Sequence, residues 1–182
     1  MRKSVGFVTA AALVLGLMAS GSAMAYTRHF PGGGARSMAP LGFQLFCLQH
    51  PDQCRAAGRS SVTMTPQLMR TLQSVNYSVN HIIIAQDGVA QETWTVNPTY
   101  GNCHDYVMTK RARLIGMGLP ASALRIAYGK TGDGEGHAIL VVRTNGGDFV
   151  LDNRTGQIMT THSTDVNILS MSGANPTDWH NI

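Results

Sequence analysis

The chain has 182 residues, 43% of them hydrophobic and 13% charged, and its 14 basic against 10 acidic side chains leave a formal net charge of +4. That balance excludes the strong positive footprint of a nucleic-acid or membrane-surface binder, and no basic run interleaved with aromatics supplies one locally. The length suits one domain with a core of its own.

Arg2 and Lys3 precede an apolar run from Val5 to Ala19, and Ser22-Ala23-Met24-Ala25 ends in a small-x-small pattern. This order predicts a secretory signal peptide over residues 1–25, cut after Ala25. A membrane anchor is the competing reading, but the run falls short of the roughly 20 apolar residues a span needs. Removing Arg2 and Lys3 leaves a mature charge of 12 − 10 = +2. The expected location is periplasmic or secreted.

Residues 26–40 are rich in Gly, Pro, Arg and Ser, and Pro31-Gly32-Gly33-Gly34 fits neither a helix nor a central strand. They predict a flexible mature N-terminus, followed by a single domain over 41–182. Residues 41–57 predict a short helical segment containing Cys47 and Cys54. In an oxidising compartment these two predict a local disulfide around the turn residues Pro51 and Asp52. A metal fragment of Cys47, His50 and Cys54 is the rival, and it lacks a fourth ligand. Thr65-Pro66 then opens a helix whose apolar residues Leu68, Leu72, Val75 and Val79 recur at helical spacing up to about Ile84. Residues 85–100 read as a loop, with Trp94 either walling a site or simply packing.

A second helix begins at Cys103, with Met108, Ala112 and Ile115 along one face, and stops at Gly116 to Pro120. The period then changes. Leu124 to Tyr128 is a short extended run and Gly129 to Gly136 a polar loop. His137 to Thr144 and Asp148 to Leu151 are strands joined by the hairpin turn Asn145-Gly146-Gly147. The pattern after Gln157 is weak and predicts at most a short strand. Helices first and an antiparallel sheet afterwards make the class α+β.

The chemistry concentrates in Cys103, His137 and Asp152. A helix start favours a thiolate, and the Cys103 N–H there can serve an oxyanion hole. His137 opens a strand after a glycine-rich loop, placing it as base and then acid. Asp152 closes the strand across the hairpin, at the same end of the sheet, where a carboxylate orients an imidazole. Each has a plainer reading: a buried inert cysteine, a structural histidine, a turn aspartate. His104, adjacent to the thiol on the helix, is badly placed as its base. Asp105 reads as a first-turn charge and Glu135 as a solvated loop carboxylate. Glycines 129 to 136 form no phosphate loop, because no Gly-Lys-Ser/Thr follows.

The stretch from Gly101 to Thr155 resembles the bacterial transglutaminase-like cysteine proteinase family, whose LapG-type members are periplasmic proteases that release biofilm adhesins. The resemblance is carried by Gly101-Asn102-Cys103-His104-Asp105-Tyr106, Lys110-Arg111, Leu119-Pro120 to Arg125, Gly134-Glu135-Gly136-His137-Ala138 and Val150-Leu151-Asp152-Asn153. Phe46-Cys47 to Cys54 and Trp94 resemble the family's N-terminal part. The resemblance implies a papain-like, transglutaminase-like core with Cys103 as nucleophile, His137 as base and Asp152 as orienting acid. It implies a protein substrate such as a surface adhesin, leaves a membrane signalling receptor open as a partner, and requires no cofactor for the chemistry. In the family, acids flanking the cysteine help bind calcium. Asn102 and His104 stand there instead, and losing two carboxylates weakens such a site even with Asp105 retained. Oligomeric state is not legible, since no long amphipathic seam stands out.

Three functions follow from this sequence: a cysteine endopeptidase acting through a thioester, an acyltransferase using the same triad, and a noncatalytic peptide-binding module keeping the fold.

Overall fold

The computed structural model describes residues 34–86 and 94–182, so the signal-peptide expectation and most of the expected N-terminal tail lie outside the described residues. Two helices come first, α1 over Leu41–Gln49 and α2 over Pro66–Ile82. Helix α2 starts where the sequence places it: the Thr65 hydroxyl accepts from the Leu68 N–H and Pro66 occupies the first turn. Its apolar stripe, Leu72, Val75 and Val79, is fully or almost fully buried. Helix α3 follows over Cys103–Gly116.

The second half builds the sheet. Strands β4 (Leu124–Lys130), β5 (Gly136–Thr144) and β6 (Gly147–Leu151) form an antiparallel meander. The tail then contributes β7 (Met159–Thr160), β8 (Asn167–Ser172) and β9 (Trp179–Asn181). Near the N-terminus, β1 (Arg36–Ser37) pairs with β9, which gives a seven-stranded order β1-β9-β8-β4-β5-β6-β7. A separate parallel pair, β2 (Ile84–Ala85) with β3 (Tyr100–Gly101), lies immediately before the third helix. The chain is α+β, as its pattern predicts.

Three segments depart from the sequence reading. Arg36 and Ser37 are an edge strand rather than part of a flexible tail, because the last strand offers them a ladder. The expected loop over 85–100 begins and ends in the short strands β2 and β3. The weakly patterned tail supplies three strands, and β8 lies inside the sheet between β4 and β9. Close approach of β8 is possible because Gly129 has no side chain: a Cβ there would meet the Asn167 carbonyl oxygen at 2.2 Å.

Strand β5 is buried on both faces. Ala138, Leu140 and Val142 join the main core with Phe43, Leu72, Met108 and Trp179. Ile139 and Val141 join a second cluster with Val150, Ile168 and Met171. Alternate residues serve opposite faces, so the strand reads as a continuous apolar run.

Helix α1 leads into a short 3-10 turn, Pro51–Cys54, and a Cys47–Cys54 disulfide ties the two. Arg111, fully buried in α3, donates from Nη1 to the Gln53 carbonyl and from Nε to the Leu124 carbonyl. The disulfide thus fixes a peptide that the central helix also holds. Replacing Cys47 and Cys54 with Ala lowers the free energy of unfolding by about 2.5 kcal/mol, the loop-closure value for so short a loop. Urea titration of the oxidised protein and the double variant reads this out; an unchanged midpoint would mean that Arg111 alone secures the turn.

Candidate active site

The site begins with how α3 starts. Asn102 is its N-cap, with its side-chain Oδ1 accepting from the His104 N–H at 3.1 Å. Asp105 completes a capping box by accepting from the Asn102 N–H at 2.9 Å. Its other oxygen accepts from both the N–H and the hydroxyl of Thr95, each at 2.8 Å. Asp105 is therefore more than a first-turn charge: it binds the preceding loop to the helix and is 2% exposed. Gly101 makes room for it, since a Cβ there would lie 2.7 Å from Asp105 Oδ2.

Cys103 is the first residue of the helix and is half-buried. At that position the backbone N–H has no partner within the helix. The other two cysteines are joined, so Cys103 is the free thiol. It opens into a cleft of about 540 Å³ whose lining includes Gly101, His104, Tyr128, Glu135, His137 and Arg154.

The hairpin brings the partners to the same cleft. With Leu140 opposite Leu151, residues before 140 on β5 face the segment leaving β6. His137 Nε2 donates to Asp152 Oδ1 at 2.9 Å. Cys103 and His137 line the same cleft, and the neighbouring thiol is one of the groups that raise the basicity of the ring. The structure thus brings the three sequence-chosen residues together, the thiol and imidazole on one cleft and the imidazole bonded to the carboxylate.

Asp152 is fully buried, which by itself opposes its ionisation. Hydrogen bonds from His137 and Arg154 outweigh burial and hold the carboxyl well below the usual carboxylate range. Burial also opposes a charged His137 ring, but the bonds to Asp152 and Cys103 and their charges raise it to about 9.

The sequence reading missed several residues around this chain. Asn80 donates through Nδ2 to the Asp152 and Thr155 carbonyls, both at 3.0 Å, and Asn76 donates to the Thr155 carbonyl at 2.9 Å. Helix α2 therefore anchors the backbone that carries the carboxylate. Asparagine on the polar side of a helical pattern gives no local sign of such a task. Trp94 packs: it is 5% exposed, lies 5.4 Å from the Phe43 ring, and stacks at 4.5 Å on His104, which lines the cleft. Burial pushes the His104 imidazole down to about 4, with Asp105 opposing. His104 lines the cleft as a neutral ring beside the thiol.

A family model described as bacterial transglutaminase-like cysteine proteinase (BTLCP) matches residues 33–182. Among solved structures, Legionella pneumophila LapG superposes with a TM-score of 0.53 at 22% identity, covering 62% of this chain and 66% of that one, just under two thirds of its length. The calcium-bound form of the same protein gives a TM-score of 0.54 at 17% identity, with 76% and 78% coverage. At these identities the structural likeness speaks for the fold. Curated protein sequences give no match.

One charged side chain beneath the site carries an energetic cost. Lys110 of α3 is fully buried, its Nζ has no hydrogen-bond partner, and it sits 5.8 Å over the Tyr106 ring. Burial pushes it down to about 7, with Asp152 pulling the other way. The unfolded lysine keeps its ordinary high value, so the folded chain binds fewer protons between these limits. Below about 7 the group is charged in both states and the folded state bears the whole desolvation cost. That cost fades as pH rises toward the unfolded value. Lys110→Met therefore raises the melting temperature at pH 6, by at least about 3 °C, and the gain shrinks by pH 10. Scanning calorimetry at both pH values tests this; an equal effect at both would remove the buried charge as the cause.

Proposed function

We propose that this chain, which belongs to the bacterial transglutaminase-like cysteine proteinase family, is a cysteine endopeptidase acting through Cys103, His137 and Asp152. The observation that carries the reading is a free thiol at a helix start sharing one cleft with an imidazole that is hydrogen-bonded to a buried carboxylate.

The chemistry follows from that geometry. His137 takes the thiol proton, and the Cys103 sulfur attacks the scissile carbonyl carbon. Negative charge on the carbonyl oxygen meets the free N–H at the start of α3, in the positive end of the helix dipole. The intermediate collapses to a thioester, and His137 gives its proton to the leaving amine. Water then attacks the thioester carbon, His137 accepts its proton, and release of the carboxylic acid restores the thiol. Asp152 keeps the ring oriented and stabilises the imidazolium throughout. If an amine replaces water in the second half, the same groups perform acyl transfer.

The solved LapG structure includes a calcium-bound form. In the present chain the residues flanking the thiol do not fit that ion. Asn102 Oδ1 is committed to the helix cap, the residue at 104 is an imidazole stacked on Trp94, and both Asp105 oxygens are taken by Asn102 and Thr95. Calcium prefers several charged oxygens free to ligate. We therefore assign no calcium to the reaction of this protein. Its setting follows from the N-terminal pattern and the family: export to the periplasm, a protein substrate such as a surface adhesin, and a membrane signalling receptor as a candidate partner. Among the described residues no helix is long and apolar enough to cross a membrane.

A peptide-based electrophilic probe should label Cys103 rapidly, and His137→Ala should slow labelling at least about a hundredfold. Equally slow labelling in both proteins would leave a binding module that keeps the fold without the activity. Probe labelling should also be unchanged by EGTA, and calorimetric titration with calcium should give no heat. Tight calcium binding abolished by Asp105→Ala would overturn the assignment of a calcium-free site.

A further inference from the structure

Arg154 lines the cleft, and an arginine there invites reading as an anchor for an anionic group on the substrate. Its contacts exclude that role. Its Nε donates to Asp152 Oδ2 at 3.1 Å and its Nη2 to the same oxygen at 2.8 Å. On the other side, Nη1 donates to Asp165 Oδ2 at 3.0 Å and Nη2 to Asp165 Oδ1 at 2.6 Å. A guanidinium has five N–H bonds, and four are spent on these two carboxylates. The fork geometry fixes both partners in one plane. The backbone N–H of Arg154 adds a further bond to Asp152 Oδ1 at 2.9 Å.

Asp165 lies in the segment before β8, with its side chain 52% exposed. It also lies against Gly132, where an ideal Cβ would stand 3.8 Å from Asp165 Oδ2. Gly132 belongs to the tight connection that precedes His137, closed by Thr131 N–H to the Glu135 carbonyl and Gly134 N–H to the Thr131 carbonyl, both 2.9 Å. One exposed carboxylate therefore reaches the loop in front of His137 and, through Arg154, the carboxylate behind it. No local fold requirement explains this: Asp165 forms no cap or turn in these contacts, and its partners lie on two other connections.

We propose that Arg154 and Asp165 are positioning residues of the active site, a strut that holds the Asp152 carboxylate, and with it the His137 ring, in line with Cys103. The inference rests on the catalytic reading above and extends it from three residues to five. His137 Nε2 and Arg154 compete for one buried carboxylate. Without the strut the Asp152 carboxylate would lose its fixed orientation toward the ring. With it, Oδ2 is occupied by arginine and Oδ1 is presented to the imidazole.

The test is an NMR pH titration of the His137 ring in the full-length mature protein labelled in histidine, assigned with His137→Gln. The charged and titratable groups around that ring are Cys103, His104 and Tyr106 from α3, Tyr128 from β4, Glu135 in the loop before β5, and Asp152 and Arg154 after β6, with Lys110 acting on Asp152 and Asp165 on Arg154. Wild type should titrate at about 9. Arg154→Lys keeps the positive charge but loses the fork, and Asp165→Asn releases the strut from outside the cleft. Each should lower the midpoint by about one unit and slow probe labelling about tenfold, while the melting transition stays cooperative. A midpoint near 9 in wild type that neither variant moves would overturn the strut alone. A fall in Asp165→Asn without one in Arg154→Lys would show that charge rather than position matters, and would overturn it too. An ordinary histidine midpoint in wild type would instead break the Cys103–His137–Asp152 reading, and the strut with it.

Discussion

A carboxylate without solvent contact organises this half of the molecule. An ionised group taken out of water costs several kcal/mol unless its oxygens are fully hydrogen-bonded. The Asp152 carboxylate meets that demand from His137 at the head of β5 and from Arg154, while Asn80 of α2 holds the Asp152 backbone carbonyl. The fold around it is constrained accordingly. The hairpin register must bring His137 opposite, α2 must lie where its asparagines reach the backbone, and the connection before β8 must deliver a second acid to share the arginine.

A second buried carboxylate does the complementary task for the thiol. Asp105 locks the first turn of α3 to the loop carrying Thr95, and Gly101 leaves it the space. The sulfur is thus fixed by one acid and its base by another.

Much of this was legible before any coordinates because the relevant signals are local. Thr65-Pro66 opens a helix by its own chemistry, and Asn145-Gly146-Gly147 closes a hairpin by its own backbone freedom. That hairpin carried the association of His137 with Asp152, since register alone fixes which residues share an end of the sheet. What escaped notice depends on distant partners. Asn167-Ile168-Leu169-Ser170-Met171-Ser172 alternates poorly and becomes an interior strand only because β4 and β9 flank it. Lys110 falls on a helix whose every side is enclosed, so periodicity gave no warning of a buried ammonium. Arg154 and Asp165 look like ordinary loop charges, because their meaning lies in a contact across 11 positions of chain. The sequence likewise could not show that both Asp105 oxygens are engaged.

The interior position of β8 has a temporal side. A chain made from its N-terminus has Cys103, His137 and Asp152 in hand while β4 still lacks its neighbour. Only when residues 167–172 emerge can that strand close the sheet and bring Asp165 beside Arg154. The order of synthesis therefore withholds the last brace of the site until almost the whole chain is present. The surroundings of Asp152 are therefore completed late in synthesis.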